Sequence, residues 1–233
     1  DILPFTGTEK LLVVGPTSAS LGPLHGCWSY SWQGSVEDAY PEETLTVVQA
    51  MRAVFGEDNI ICPVEKGFDD AAHFDLDLNR SASKADAIVL CLGENAYAES
   101  PGVIDDLHLP SEQIEMARRA IQTGKPVVLL LLEGRGRLVS AFIDDVDAAL
   151  LALLPGSQGA LAIARTLRGL SNPSGVLPFT YQRHSGDLIP YDHRFTSKVT
   201  QGPPGVFTDE GLRPQWLFGQ GVTYSNLKLA VVL

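Results

Sequence analysis

Short runs that are apolar almost throughout alternate along this chain with segments whose apolar residues recur every three or four positions. Residues 10–14, 59–62, 87–92, 127–132 and 148–153 form the first kind, and 176–179 continues the series. These runs have a strand's length, and turn residues such as Gly15-Pro16 and Gly93 follow them. A strand that is apolar on both faces belongs in a sheet covered from both sides. Between the runs, residues 44–55 carry apolar positions at helical spacing and stop at Gly56, and 78–85 suits a short helix. Pro110-Ser111-Glu112 opens a further helix with an acidic first turn, Gly124 closes it, and another follows Pro155-Gly156. The alternation predicts an α/β fold: a mostly parallel sheet flanked by helices on both faces, an α/β sandwich. Beyond about residue 181 the pattern dissolves into an irregular Gly/Pro-rich tail, expected to pack over the domain or reach a neighbour. The expectation is one domain over 1–233, with a core at about 10–180 and the tail at 181–233.

Length and composition narrow the function classes. A chain of 233 residues holds one large α/β domain or two small ones, and a 45% hydrophobic content supports a real core. The net charge of −11, with scattered basic residues, argues against nucleic acid or an anionic membrane as partner, since phosphates require clustered Lys and Arg. Apolar runs such as 127–132 are far too short to span a bilayer. The opening Asp1-Ile2-Leu3-Pro4 has no basic leader and looks like a cut inside a longer polypeptide, so it says nothing about compartment. Cys27, Cys62 and Cys91 are too few and too dispersed for a disulfide framework, and no His/Cys cluster has zinc spacing. Cys91 inside an apolar run and Cys62 at the end of another are expected to be buried free thiols.

In parallel sheets, ligands gather at the carboxyl ends of the strands. Three loops there carry the candidate chemistry: 15–34, 93–110 and 133–137. The second contains Glu94 and Glu99, with Asp105 and Asp106 close behind. A carboxyl on such a loop suits a general acid, because partial desolvation lifts its pKa towards neutrality. The same residues also describe a solvated acidic turn, and spacing alone does not separate Glu94 from Glu99. Glu94, at the strand exit, is expected to anchor the loop through backbone amides. The first loop, Cys27-Trp28-Ser29-Tyr30-Ser31-Trp32-Gln33, is bounded by glycines and offers either a stacking platform for pyranose rings or a Trp that plugs the core. Other chemistries lack their motifs. Gly134-Arg135-Gly136 has Val139 where a dinucleotide fingerprint needs glycine, and there is neither a phosphate-binding loop nor a Gly-x-Ser-x-Gly elbow. His25, His73, His108, His184 and His193 form no metal or triad pattern and read as surface or hydrogen-bonded structural residues. The Asp-rich stretch 68–77 lacks calcium-loop spacing and reads as a solvated turn.

Read in order, the segments resemble the C-terminal α/β sandwich domain of glycoside hydrolase family 3, in its β-glucosidase and exo-β-glucanase branch. The resemblance runs over about 10–224. It is carried by Leu11-Leu12-Val13-Val14-Gly15-Pro16, Trp28-Ser29-Tyr30-Ser31-Trp32-Gln33-Gly34, and Gly93-Glu94-Asn95-Ala96-Tyr97-Ala98-Glu99 followed by Leu109-Pro110 and Gln113. Gly124-Lys125-Pro126-Val127-Val128, Pro155-Gly156-Ser157-Gln158-Gly159, Asn172-Pro173-Ser174-Gly175-Val176-Leu177-Pro178-Phe179-Thr180 and Phe218-Gly219-Gln220-Gly221-Val222-Thr223-Tyr224 complete it. The chain departs from the family at Gly134-Arg135-Gly136, where Gly-Arg-Pro is usual, and at Gln220, Val222 and Thr223 of the closing motif.

The resemblance implies that Glu99 is the catalytic acid/base, that Trp32 walls the aglycone (+1) subsite and that Trp28 lines the same pocket. It implies a retaining, exo-acting β-glycosidase that needs no cofactor or metal and takes a β-glucoside or β-gluco-oligosaccharide. The nucleophile would come from a partner, an N-terminal (β/α)8 barrel of about 250 residues, for which this chain has no room. Alone, the chain is then expected to be incomplete and inactive. The compartment is not legible here, and the resemblance is compatible with a periplasmic or secreted enzyme. A non-catalytic module that binds sugar or stabilises a partner is the alternative reading, and a flavodoxin-like nucleotide or flavin binder is a more distant one.

Overall fold

Four apolar residues in a row, Leu11–Val14, form the first strand, β1, and all four are buried. It belongs to a sheet whose every pairing is parallel, in the order β2-β1-β3-β4-β5, with β2 at Ile60–Ile61, β3 at Ala87–Gly93, β4 at Val127–Leu132 and β5 at Ala148–Leu151. The computed structural model describes residues 2–187 and 214–225, so His193 and most of the expected tail lie outside the described residues. Two compact units divide the chain, residues 1–171 and 172–233, and the sheet lies in the first.

Because strand side chains alternate between faces, each of these runs serves two cores. Leu11, Val13, Val89, Cys91, Val128 and Leu130 face a cluster with Val47, Val48 and Met51 of α2 (Val47–Phe55) and with Ile163, Ala164 and Leu167 of α5 (Gly159–Leu167). Leu12, Ile88, Leu90 and Leu129 are equally buried outside that cluster. On their side α4 (Ser111–Gln122) meets β3 and packs with α3 (Leu78–Ala82). Helices thus cover both faces, as the hydrophobic pattern predicts. The remaining helical turn, α1 (Gly22–His25), sits in the loop after β1.

Element boundaries moved for local reasons. Residues 44–46 are not helical because Thr46 caps α2: its hydroxyl accepts from Gln49 N at 3.4 Å, and Gln49 Oε1 accepts from Thr46 N at 2.9 Å. Asp77 caps α3 by accepting from Arg80 N at 3.0 Å, and Asp70 caps the 3-10 turn Ala71–His73 by accepting from Ala72 N at 2.9 Å. Two aspartates of the Asp-rich stretch, Asp70 and Asp77, therefore serve as caps, while Asp69 and Asp75 are exposed. Cys91 is buried as expected, but Cys62 is only half-buried, since β2 is two residues long and lies at the sheet edge. Burial still pushes the Cys62 thiol up to about 11.

Residues 176–179, which continue the apolar series, form no strand. Pro178 has no N–H to donate to a ladder. Leu177 instead donates to Gln220 O at 2.9 Å and accepts from Gly219 N at 2.8 Å. That clasp belongs to the second unit, where Tyr181 is fully buried, stacks on Phe179 and meets the edge of Trp216.

The strand order has a consequence for function. After β1 the chain returns on one side of it as β2, and on the other side as β3. The crevice outside the carboxyl ends of β1 and β3 is the topological switch point, where open parallel sheets hold their ligands. Gly15 and Gly93 stand at these strand exits with φ of 114° and 147°. A Cβ would lie 2.0 Å from Cys91 O at the first and 1.8 Å from Leu132 O at the second, so only glycine fits there.

Gln113, buried in the first turn of α4, holds the second exit. Its Oε1 accepts from Gly93 N at 3.0 Å and its Nε2 donates to Gly93 O at 2.9 Å. Gln113→Leu keeps the volume and strands both groups, at about 1–3 kcal/mol each. A lower urea midpoint is the expected result, and an unchanged midpoint would show that the clamp contributes nothing.

Candidate functional site

The loop after β1 is built on a tyrosine and a glutamate whose roles sequence reasoning missed. Glu37 accepts from Leu21 N (3.1 and 2.8 Å) and from Gly22 N (3.2 Å), tying down the start of α1. Tyr40 is buried and donates to Gly34 O at 2.5 Å, and burial, with the Glu37 carboxylate beside it, pushes its phenol up to about 12. The His25 ring lies 4.6 Å and the Tyr30 ring 5.1 Å from the Tyr40 ring, giving the loop an aromatic floor. Nothing in composition or spacing marks a Glu and a Tyr outside the motif as its supports.

Upon that floor Trp28 and Trp32 face outward. They are 68% and 52% exposed, so neither plugs the core. Their ring centroids lie 6.3 Å apart, and Trp28 N donates to Trp32 O at 3.0 Å to close the loop. Trp28 and Tyr30 both have positive φ, 57° and 58°. Side chains rarely adopt such a backbone, and each costs about 1–3 kcal/mol unless the surroundings impose it.

The loop after β3 sorts its carboxylates. Glu94 turns inward, with a side chain only 9% exposed. Its Oε1 accepts from Arg135 Nε at 3.0 Å and from Arg137 Nη1 at 2.8 Å, and Tyr97 OH lies 3.5 Å from its Oε2. It anchors the loop as expected, but through guanidinium groups from the loop after β4. The backbone amides anticipated for this role are not its partners, because the β3 and β4 exits bring the two loops side by side. Asp106 is committed to its own turn: His108 N and Nδ1 meet it at 2.9 and 2.6 Å, and these bonds hold its carboxyl below the usual range. Glu99 is different. It is exposed, begins the turn Ser100–Gly102 with φ 54° and ψ −133°, and its side chain does not cap that turn.

Gln33 joins the two loops. Its Oε1 accepts from Ala98 N at 2.8 Å and its Nε2 donates to Ala98 O at 3.3 Å. The residues next to Trp32 and Glu99 are therefore hydrogen-bonded to one another across the switch point. Among the described residues, three of the four non-glycine residues with positive φ, Trp28, Tyr30 and Glu99, sit on these two loops. Such an edge can offer an aromatic face to an apolar ring and a carboxyl to an atom beside it.

The other candidates stay structural. His73 is buried with its Nε2 at 3.2 and 3.1 Å from the carbonyls of Lys66 and Gly67, and His25 bonds Leu21 O and Ser157. His108 and His184 are exposed. Among the described residues, no group of three His, Cys, Asp or Glu side chains is placed to hold a metal, and no helix is long and apolar enough to cross a membrane.

The sequence profile of the glycosyl hydrolase family 3 C-terminal domain matches residues 1–224. This chain belongs to glycoside hydrolase family 3. Among its relatives, the lysosomal β-glucosidase of Dictyostelium discoideum is 33% identical over 242 residues, covering 97% of this chain and 27% of that protein. A β-xylosidase/α-L-arabinofuranosidase of Medicago sativa is 31% identical over 96% of this chain and 28% of its own length. The crystal structure of a β-glucosidase from Listeria innocua in complex with isofagomine superposes with a TM-score of 0.78, at 26% identity, over 96% of this chain and 31% of that one. The chain thus spans about a third or less of the length of these family 3 relatives, and corresponds to the family's C-terminal domain.

Glu94→Ala tests the anchor inside this family 3 domain. It leaves the Arg135 and Arg137 side chains, 27% and 9% exposed, without their shared anion. Removing one partner of a buried ion pair costs about 3–5 kcal/mol. Urea unfolding should show that loss, and a shift under about 1 kcal/mol would mean the carboxylate is dispensable to the loop.

Proposed function

We propose that this chain is the acid/base half of a retaining, exo-acting β-glycosidase, with Glu99 as the proton donor and Trp32 and Trp28 as the wall of the aglycone subsite. The observation that carries the reading is the placement of Glu99. It is the exposed glutamate of its loop, held in a strained backbone, one residue from the Gln33 clamp that ties it to the two exposed tryptophans. Glu94 is turned inward and already committed to two guanidiniums.

Retention requires two carboxyl groups about 5 Å apart, one acting as nucleophile. The second belongs to an N-terminal (β/α)8 barrel, whether on the same polypeptide or on another. With a β-glucoside seated between the two, Glu99 protonates the glycosidic oxygen as the bond to the anomeric carbon breaks and the nucleophile adds to that carbon. It then takes a proton from the water that hydrolyses the glycosyl intermediate. The apolar faces of the leaving sugar stack on Trp32 and Trp28. Selectivity at the −1 sugar lies with the barrel, which accords with β-glucosidases and a β-xylosidase among the relatives. β-Glucosides and β-gluco-oligosaccharides are the substrate class proposed.

One observation favours a second reading. The two exposed tryptophans suffice by themselves for a non-catalytic sugar-binding module. Glu99→Gln separates the two, since it preserves shape and binding but abolishes proton donation.

Mixed with its matching barrel domain, the chain is expected to hydrolyse an aryl β-glucoside, and to be silent alone. Activity of the 233 residues by themselves would place the nucleophile in this chain. In the assembled enzyme Glu99→Ala should lower kcat/KM on an unactivated disaccharide by about 10²–10⁴. Near-full activity of that variant on the disaccharide would refute the assignment.

A further inference from the structure

The Glu99 turn is held at both ends, and by different loops. On its amino side Gln33 grips both backbone groups of Ala98. On its carboxyl side Gly102 N donates to Glu99 O at 2.9 Å, and Gly102 O accepts from Arg135 Nη1 at 2.6 Å. Arg135 is itself fixed from two other directions. Its Nε donates to Glu94 Oε1 at 3.0 Å, and its guanidinium lies 4.1 Å from the centroid of the Tyr97 ring.

We propose that Arg135 is a positioning residue for Glu99, its planar fork spanning the Glu94 carboxylate and the Gly102 carbonyl and so setting where the Glu99 carboxyl stands in the site. This inference rests on the reading of Glu99 as the general acid. The two arginines around Glu94 divide the work. Arg137 is the more buried and carries the other charge of the anchor, with a second bond to His108 O. Arg135 is the one that reaches the turn. Removing it leaves Glu94 paired to Arg137 and cuts the link between that anchor and Gly102. Lysine restores the charge, but a single ammonium cannot hold both acceptors in a fixed fork.

Loss of position at a general acid has its own kinetic signature. It slows departure of a leaving group that must be protonated and spares one that leaves as a stable anion. The test uses the enzyme assembled from this chain and its barrel, with an unactivated β-linked disaccharide and a dinitrophenyl β-glucoside as substrates. Arg135→Ala is expected to lower kcat/KM about 10–100-fold on the disaccharide and to stay within about threefold on the dinitrophenyl glucoside. In a Glu99→Ala background the same substitution should cost less than about twofold on either substrate, because residues acting through one group are not additive.

Arg135→Lys should show the same selectivity with a smaller loss, and it carries the test if the alanine variant does not fold. If Glu99→Ala is selective for the disaccharide while both Arg135 variants lose activity equally on the two substrates, or lose none, the positioning role is overturned and Glu99 stands. Additive losses in the double variant overturn it too. If Glu99→Ala itself is not selective, the reading of Glu99 falls and this inference with it.

Discussion

Parallel pairing of β1, β3 and β4 is the constraint on which the rest of this molecule depends. Strands that run the same way deliver all their carboxyl ends to one edge, so the three loops that follow them must share it. Parallel pairing also demands that both faces be covered. The chain meets that demand with runs such as Val127–Leu132, buried along their whole length, which serve a helix layer on each side. The glycines at the β1 and β3 exits then let neighbouring backbones pass at distances no side chain permits.

From that edge the site is assembled by polar side chains acting on backbone. Gln113 completes the hydrogen bonding of Gly93, Gln33 completes that of Ala98, Tyr40 holds Gly34 and Arg135 holds Gly102. Backbone groups at a half-buried edge must find partners, and a side chain that supplies one also fixes the loop carrying it. The strained residues Trp28, Tyr30 and Glu99 lie within this scaffold, which imposes conformations the isolated loops would avoid.

The distribution of charge over the acidic loop follows from the same geometry. Glu94 leaves β3 beside the loop after β4, where two arginines wait, and is drawn inward as their shared anion. Glu99, five positions later and beyond the clamp on Ala98, is exposed on the rim with the tryptophans. Two glutamates of the same chemistry in one loop thus acquire opposite environments, one paired and interior, the other open to a ligand.

The sequence by itself determined the layered α/β class and the five strands of the sheet to within a few residues, though not that 176–179 would form no strand, and it marked the three loops at the strand exits. Hydrophobic periodicity and glycine placement are local signals that express which face of each segment is buried. It also contained, as ordered motifs, the resemblance to family 3. It did not separate Glu94 from Glu99 by spacing, decide whether Trp28 and Trp32 filled the core or faced solvent, or reveal Glu37, Tyr40 and Arg135 as supports. Those outcomes were decided by tertiary structure: Arg135 and Arg137 reach Glu94 from 41 and 43 positions away and Gln33 reaches Ala98 from 65 away because the parallel sheet sets their loops side by side, while Glu37 and Tyr40 act within the folded loop after β1.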